Sequence, residues 1–318
     1  MKHEIRVGDL VALPGQKVTA ECTFTVNNQP FSLPVYLING AGEGPTFVIT
    51  AGVHAAEYAS IAAALEIGQK HTPEALNGQL IVAPLLNQAG FPLRSIYVNP
   101  MDGVNLNRVF PGKPDGSASE QIAAWVFDNI IQQADFYFDL HGGDLIEALV
   151  PFGIFAVSGQ AELDGKSREL AEITGIGYLV GREALSGSTF AAAAGAGIPA
   201  VLLEAGGQGI WPRSDVERLV TSVERAMIHY KMLAQEPPAS IQPILLEEFA
   251  WLFSQQAGLW YPQVAVGELV EKGQLVGKVT DVWGSTLQEA HAPVSGVVLF
   301  LVSSLAMNQG DPLLAVGA

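Results

Sequence analysis

The sequence predicts an α/β protein: a mixed β-sheet between helices, with a small C-terminal all-β domain. Three observations predict it. Four nearly continuous apolar runs, 47–50, 80–86, 136–140 and 198–203, have the character of strands buried on both faces. Stretches with helical spacing lie between them, and strands alternating with helices indicate a parallel or mixed sheet covered on both sides. Beyond residue 240 the helical patterns stop, and short strands with glycine turns take over.

Residues 1–40 read as short strands. Thr19–Val26 alternates weakly, Asn27 and Asn28 mark a turn, and Phe31–Leu37 follows as a second strand. Gly40–Pro45 reads as a loop. The run 47–50 leads through Ala51 and Gly52, small enough for a sharp turn, to His54 and Glu57. The alanine-rich stretch 55–65 reads as a helix, with His54 and Glu57 sharing a face of its opening turn. Leu80–Leu86 is a second buried strand. Residues 91–116 have little periodicity; such a long irregular segment is usually functional or disordered, and its aromatic and apolar side chains argue for order. Ser117 to Glu120 fits a capping box before a helical pattern at 122–131. A third strand, 136–140, ends in His141-Gly142-Gly143. A helix at 166–174, a fourth strand ending in Glu204 and an amphipathic helix at 216–233 complete this part. Glu236–Ser240 reads as a linker. In the remainder, Leu269–Leu275 and Met307–Leu313 look alike, which suggests a two-fold β-sandwich of repeated hairpins.

Composition narrows the function. A chain of 318 residues, 49% hydrophobic and 15% charged, can bury one large core and a satellite domain. A net charge of -16 argues against nucleic acid or an anionic membrane as partner. The single cysteine, Cys22, excludes an internal disulfide and every cysteine-rich metal site, so a metal would need histidine and carboxylate ligands. No secretory apolar region opens the sequence and the apolar runs are too short for a bilayer, so a cytoplasmic protein is expected.

The strand ends carry the chemistry. His54 with Glu57, His141 and Glu204 each follow a buried run. One histidine at such a place is ordinarily a hydrogen-bonded, partly buried side chain. That reading weakens when two histidines and two glutamates all gather at strand ends, because buried carboxylates are costly unless paired or bound to metal. Two imidazoles and one carboxylate are an established catalytic zinc set with an open fourth position.

G-V-H-A-A-E at 52–57, N-L-N-R-V-F-P-G at 105–112, D-L-H-G-G at 139–143 and P-A-V-L-L-E-A-G-G at 199–207 occur in this order. Together they resemble the succinylglutamate desuccinylase/aspartoacylase family, a branch of the zinc carboxypeptidase-like hydrolases. The resemblance covers nearly the whole chain. It implies a carboxypeptidase-like amidohydrolase domain over 1–240 and a β-sandwich domain over 241–318. It also implies one zinc ion per chain held by His54, Glu57 and His141, with Glu204 as general base. Asn107 and Arg108 would bind the carboxylate of a small N-acyl amino acid or related amide. A homo-oligomer is left open.

Three departures qualify it. Relatives often have Asp where Asn105 stands, supporting the first histidine; an amide oxygen can accept the imidazole N–H but raises its basicity less, and Asp102 is an alternative. Asp139, two residues before His141 on the same strand face, is the matching partner there. Relatives also carry an arginine shortly before the Asn-Arg pair to polarise the scissile carbonyl. Arg94 is the nearest candidate for that catalytic role, with a plain surface role open beside it. Finally, no basic residue lies between Glu183 and Glu204. A neutral or basic amino-acid part therefore fits better than N-acetylaspartate or succinylglutamate.

The segments 270–277 and 292–298 resemble biotinyl/lipoyl-type β domains, but the expected hairpin tip, 281–286, lacks a carrier lysine, which leaves a structural or lid-forming module. Two other functions stay open on sequence alone: a zinc carboxypeptidase acting on peptides, and a non-catalytic binding protein.

Overall fold

The computed structural model describes residues 3–183, 186–236, 239 and 241–318. The chain opens with an antiparallel ribbon, β1 (Ile5–Val7) and β2 (Leu10–Ala12), and a hairpin, β3 (Lys17–Val26) and β4 (Gln29–Asn39). The hairpin turns on Asn27 and Asn28 at φ of 49° and 59°, the left-handed pair that a tight two-residue turn needs. Next come β5 (Gly42–Ala51), α1 (Tyr58–Lys70), β6 (Asn77–Ala83), α2 (Ala118–Asn129) and β7 (Phe136–His141). β8 (Glu147–Leu149), β9 (Phe152–Val157), α3 (Ala161–Thr174), β10 (Tyr178–Glu183), α4 (Thr189–Gly195), β11 (Ala200–Glu204), α5 (Arg213–His229) and β12 (Ile244–Leu246) follow.

Nine strands form the large sheet, in the order β12-β10-β9-β11-β7-β5-β6-β4-β3. β11, β7, β5 and β6 run parallel at its centre, while β9 is antiparallel to β11 and β4 to β6, so the sheet is mixed as expected. Burial on both faces follows the period of two. Phe47, Ile49 and Leu203 pack under α1, α3 and α5 with Ile67, Leu170 and Met227. Val48, Ile81 and Tyr137 pack on the other side under α2 and α4 with Ile122 and Phe190. Each such aliphatic or aromatic side chain contributes about 1.5–3 kcal/mol by leaving water.

Some boundaries differ from the sequence reading. The loop expected at Gly40–Pro45 is mostly strand: β5 starts at Gly42, which pairs with Asn77 ahead of a bulge. A Cβ at Gly42 would lie 1.6 Å from Asn77 Oδ1, so a side chain there would displace the Asn77 amide. The capping box at Ser117 and Glu120 is present. β9, β10 and α4 were not anticipated. Within the linker, Pro237, Pro238 and Ser240 lie outside the described residues.

The C-terminal region is a pair of antiparallel sheets. β13 (Phe249–Phe253), β20 (Pro312–Gly317), β18 (Gly296–Val302) and β15 (Leu269–Val270) make one. β17 (Thr286–His291), β16 (Leu275–Thr280), β14 (Gly258–Pro262) and β19 (Ala306–Met307) make the other. Trp260, Val276, Val298 and Leu314 lie in the core they share. Two strands cross between the sheet systems. β12, beyond residue 240, pairs with β10 in the large sheet, and β8 pairs with β18 in the small one. Lys278 lies within β16, and the tip 281–285 carries no lysine.

Candidate active site

β11, β7 and β5 end level with one another: Leu140 is in register with Ala51 on one side and Leu203 on the other. The residues just past these ends meet in one place. After β5 the chain turns at Gly52, φ 61°, and the N–H groups of Leu86 and Asn87 close on the carbonyls of Ala51 and Gly52. α1 starts only at Tyr58, so His54 and Glu57 stand in the turn before the helix and not on it. Glu57 is the residue that would cap α1, yet its carboxylate makes no cap bond. Forgoing a cap costs about 1 kcal/mol.

That carboxylate is turned to the imidazoles instead. Glu57 Oε1 is 2.7 Å from His54 Nδ1, and Oε2 is 2.9 Å from His141 Nδ1 and accepts the Gly142 N–H at 3.2 Å. The two rings lie 5.2 Å apart, and all three residues are buried. Their candidate ligand atoms lie within 4.8 Å of one another. The three first-named sequence candidates are therefore together.

The outer ring nitrogens are held by oxygens. His54 Nε2 is 3.2 Å from Asn105 Oδ1, and His141 Nε2 is 2.9 Å from Asp139 Oδ2. Asp139, fully buried, also accepts from the hydroxyls of Thr50 and Thr189. Asp102 does not substitute for Asn105; it accepts from the N–H and hydroxyl of Ser119 and anchors α2. A proton on each Nε2 would satisfy Asn105 Oδ1 and Asp139 Oδ2 as acceptors and turn both Nδ1 lone pairs toward Glu57.

A neutral pair of rings in that arrangement would oppose the carboxylate; a positive charge among them removes the conflict. The electrostatics agree. Burial raises the Glu57 pKa, but His141 and His54 outweigh it and hold it at about 2. Burial disfavours charge on His141, but Asp139 and Glu57 outweigh it and push that pKa well up. Two nitrogens and one carboxylate converging where cationic charge is favoured fit a divalent ion such as zinc.

Glu204 stands beside His141, paired with it across β11 and β7. Its Oε2 is buried and has no hydrogen-bond partner among the described residues. Burial pushes its pKa well above the usual range, against the pull of His141. Asn107 is buried in the short helical turn 106–108; its Oδ1 accepts from the Thr189 N–H at 2.9 Å and its Nδ2 lies 3.5 Å from His141 Nε2. Arg108 is exposed beside it, with Nη1 donating to the Asn107 carbonyl at 2.7 Å. Arg94 has φ of 53°. It lines a groove of about 640 Å³ with Tyr58, Phe91, Leu145 and Trp211, and none of the four clustered groups lines it.

Three residues near the site were not anticipated: Tyr97, Asp144 and Glu147. The Tyr97 ring meets His54 edge-on at 6.3 Å and its hydroxyl donates to Glu147 Oε1 at 2.5 Å. Burial is the main cause that raises the pKa of Asp144 and takes that of Glu147 to about 7. The available signal was a second pair of acids within six residues of His141.

A level row of parallel strand ends, with a histidine–glutamate–histidine cluster and an adjoining buried glutamate, is the arrangement of a hydrolase site. The chain belongs to the succinylglutamate desuccinylase/aspartoacylase catalytic-domain family, whose model matches residues 43–230. It is thus a hydrolase of carbon–nitrogen bonds other than peptide bonds. The N-alpha-acetyl-L-2,4-diaminobutyric acid deacetylase of Halomonas elongata is 28% identical over 292 residues, 89% of this chain and 85% of the relative. The product-bound structure of the ectoine utilization protein EutE (DoeB) from Ruegeria pomeroyi has the same fold, with a TM-score of 0.87 at 24% identity over 96% of this chain and 97% of the other. A succinylglutamate desuccinylase/aspartoacylase structure from Rhodobacter sphaeroides superposes with a TM-score of 0.86 at 23% identity, covering 95% of each chain. Among the described residues no helix is long and apolar enough to cross a membrane.

Proposed function

We propose that this protein removes the acyl group from a small N-acylated amino acid whose amino-acid part is neutral or basic. His54, Glu57 and His141 hold one zinc ion. The observation that carries this reading is their convergence within 4.8 Å, with Glu204 in register beside His141. Zinc bound there supplies Lewis acidity toward the scissile carbonyl and lowers the pKa of a coordinated water to about 7.

The chain's own groups do the rest. Glu204, its Oε2 without a hydrogen-bond partner among the described residues, takes a proton from the attacking water and returns it to the leaving amine. Burial, which raises its pKa, favours its keeping that proton once taken. Arg108 receives the substrate carboxylate on its guanidinium fork. Asn107, whose Oδ1 accepts the Thr189 N–H, offers its amide N–H to the same carboxylate. Asp139 and Asn105 keep the imidazoles in the tautomer that turns Nδ1 inward. A basic substrate matches the diaminobutyrate derivative named for the Halomonas relative, which carries a side-chain amine. We further propose that 1–240 carries the reaction and 241–318 supports it.

The test is a panel of N-acetyl, N-succinyl and N-formyl amino acids, neutral, basic and acidic, assayed with added zinc beside short peptides. Turnover of neutral or basic N-acyl amino acids is expected. Cleavage of peptides alone would replace this reading with a carboxypeptidase, and a purified protein that takes up no divalent ion would end it.

A further inference from the structure

One residue of the irregular segment 91–116 touches the site and has no part in the reaction above. Tyr97 has φ of 60°, a left-handed conformation that is rare for an aromatic residue and persists only where the surroundings impose it. Three contacts impose it. Its hydroxyl donates to Glu147 Oε1 at 2.5 Å, and its N–H donates to Asp144 Oδ2 at 3.1 Å. Glu147 Oε2 accepts the Asp144 N–H at 2.7 Å, so one carboxylate ties both ends of the arrangement. The outcome is a ring set edge-on to the His54 imidazole, 6.3 Å between centroids and 87° between planes.

Glu147 is itself firmly held. It is 7% exposed, and its strand pairs with β18, Val302 opposite Glu147. Its carbonyl accepts the Gln208 N–H at 2.9 Å, in the loop that follows Glu204. A Cβ on Gly207 would come within 2.3 Å of that same carbonyl, so the two loops pack backbone to backbone.

We infer that Glu147 is a positioning residue for the metal centre, acting through Tyr97 to fix the orientation of the His54 imidazole. His54 needs the help more than His141 does. The outer nitrogen of His141 rests on the buried carboxylate of Asp139 at 2.9 Å, whereas that of His54 has only the Asn105 amide at 3.2 Å. The weaker of the two anchors is the one with an aromatic wall behind it. This inference rests on the reading of His54 as a metal ligand.

The test compares Tyr97→Phe, which deletes one oxygen, and Glu147→Gln, which keeps the shape, in the full chain. Zinc affinity is measured by competition with a chelator, and ligand geometry by the visible spectrum of the cobalt(II)-loaded protein. Each variant is expected to bind zinc about 10-fold more weakly and to shift the cobalt bands. The double variant is expected to lose no more than the worse single one, because both cut the same connection. Folded Tyr97→Phe protein with parent zinc affinity and a parent cobalt spectrum would overturn the inference. Should Glu147→Gln fail to fold, Tyr97→Phe alone decides. Should the parent take up no metal, the proposed function fails by itself. The ring ¹⁵N shifts of His54 in parent and Tyr97→Phe then decide the positioning role: changed shifts retain it and unchanged shifts end it.

Discussion

Glu204 lies directly across from His141 on the neighbouring parallel strand, the only glutamate and the only histidine at the ends of those two strands. In-register residues of adjacent strands point to the same face. The base proposed at Glu204 needs no loop to deliver it, since one backbone ladder carries both it and the proposed ligand His141.

Glu204→Gln should therefore keep the metal and lose the reaction. Removing a general base lowers kcat by about 10²–10⁴-fold. Metal content by elemental analysis should equal that of the parent, while turnover of the best N-acyl substrate falls by that factor. Near-parent activity would take the role of base away from Glu204.

Asn105→Asp should tighten metal binding. Asn105 Oδ1 accepts from His54 Nε2 at 3.2 Å, and a carboxylate there would raise the basicity of Nδ1 on the same ring. About a 10-fold gain in zinc affinity is expected in chelator competition. A loss would mean that the amide has a further task that an acid cannot perform.

Gly142→Ala should destabilise the protein by about 1–3 kcal/mol in urea unfolding. Its Cβ would lie 2.3 Å from the Ala205 carbonyl, and its N–H already serves Glu57. Gly165→Ala is the contrast. That glycine lies within α3 with open space around it, and the change should stabilise by about 0.5–1 kcal/mol.

Glu147 predicts a slope of stability with pH. Burial raises its pKa to about 7 in the folded protein from an ordinary 4.5. Between those values the folded state binds the proton that the unfolded state has released, so this group's contribution falls as pH rises from about 4.5 to 7. The total is on the order of 3 kcal/mol. Thermal unfolding across that range should show the parent losing stability relative to Glu147→Gln. Parallel curves would place the Glu147 pKa near its ordinary value.

The centre of the fold was legible because β5, β7 and β11 are buried on both faces and leave unbroken apolar runs. The flanking strands were not. Tyr178–Glu183 ends in charged residues and contains Gly181, and Phe152–Val157 contains Gly153, so neither presents a continuous run or a clean alternation. His54, Glu57, His141 and Glu204 could be read because each follows an apolar strand. Their geometry could not. The spacing of three suggested a shared helical face, while Glu57 in fact sits at the helix cap with φ −85° and ψ 73°. Tyr97 and Glu147 are 50 residues apart, and nothing local links a tyrosine in an irregular segment to an acid on a three-residue strand.

The crossing of β8 and β12 makes the two sheet systems mutually dependent. Severing the polypeptide after residue 240 would strip an edge strand from the larger sheet and leave β8 without its partner β18, its hydrogen-bonding groups unpaired. Neither half should survive proteolytic separation as a native fragment. Calorimetry of the intact molecule should record one melting event.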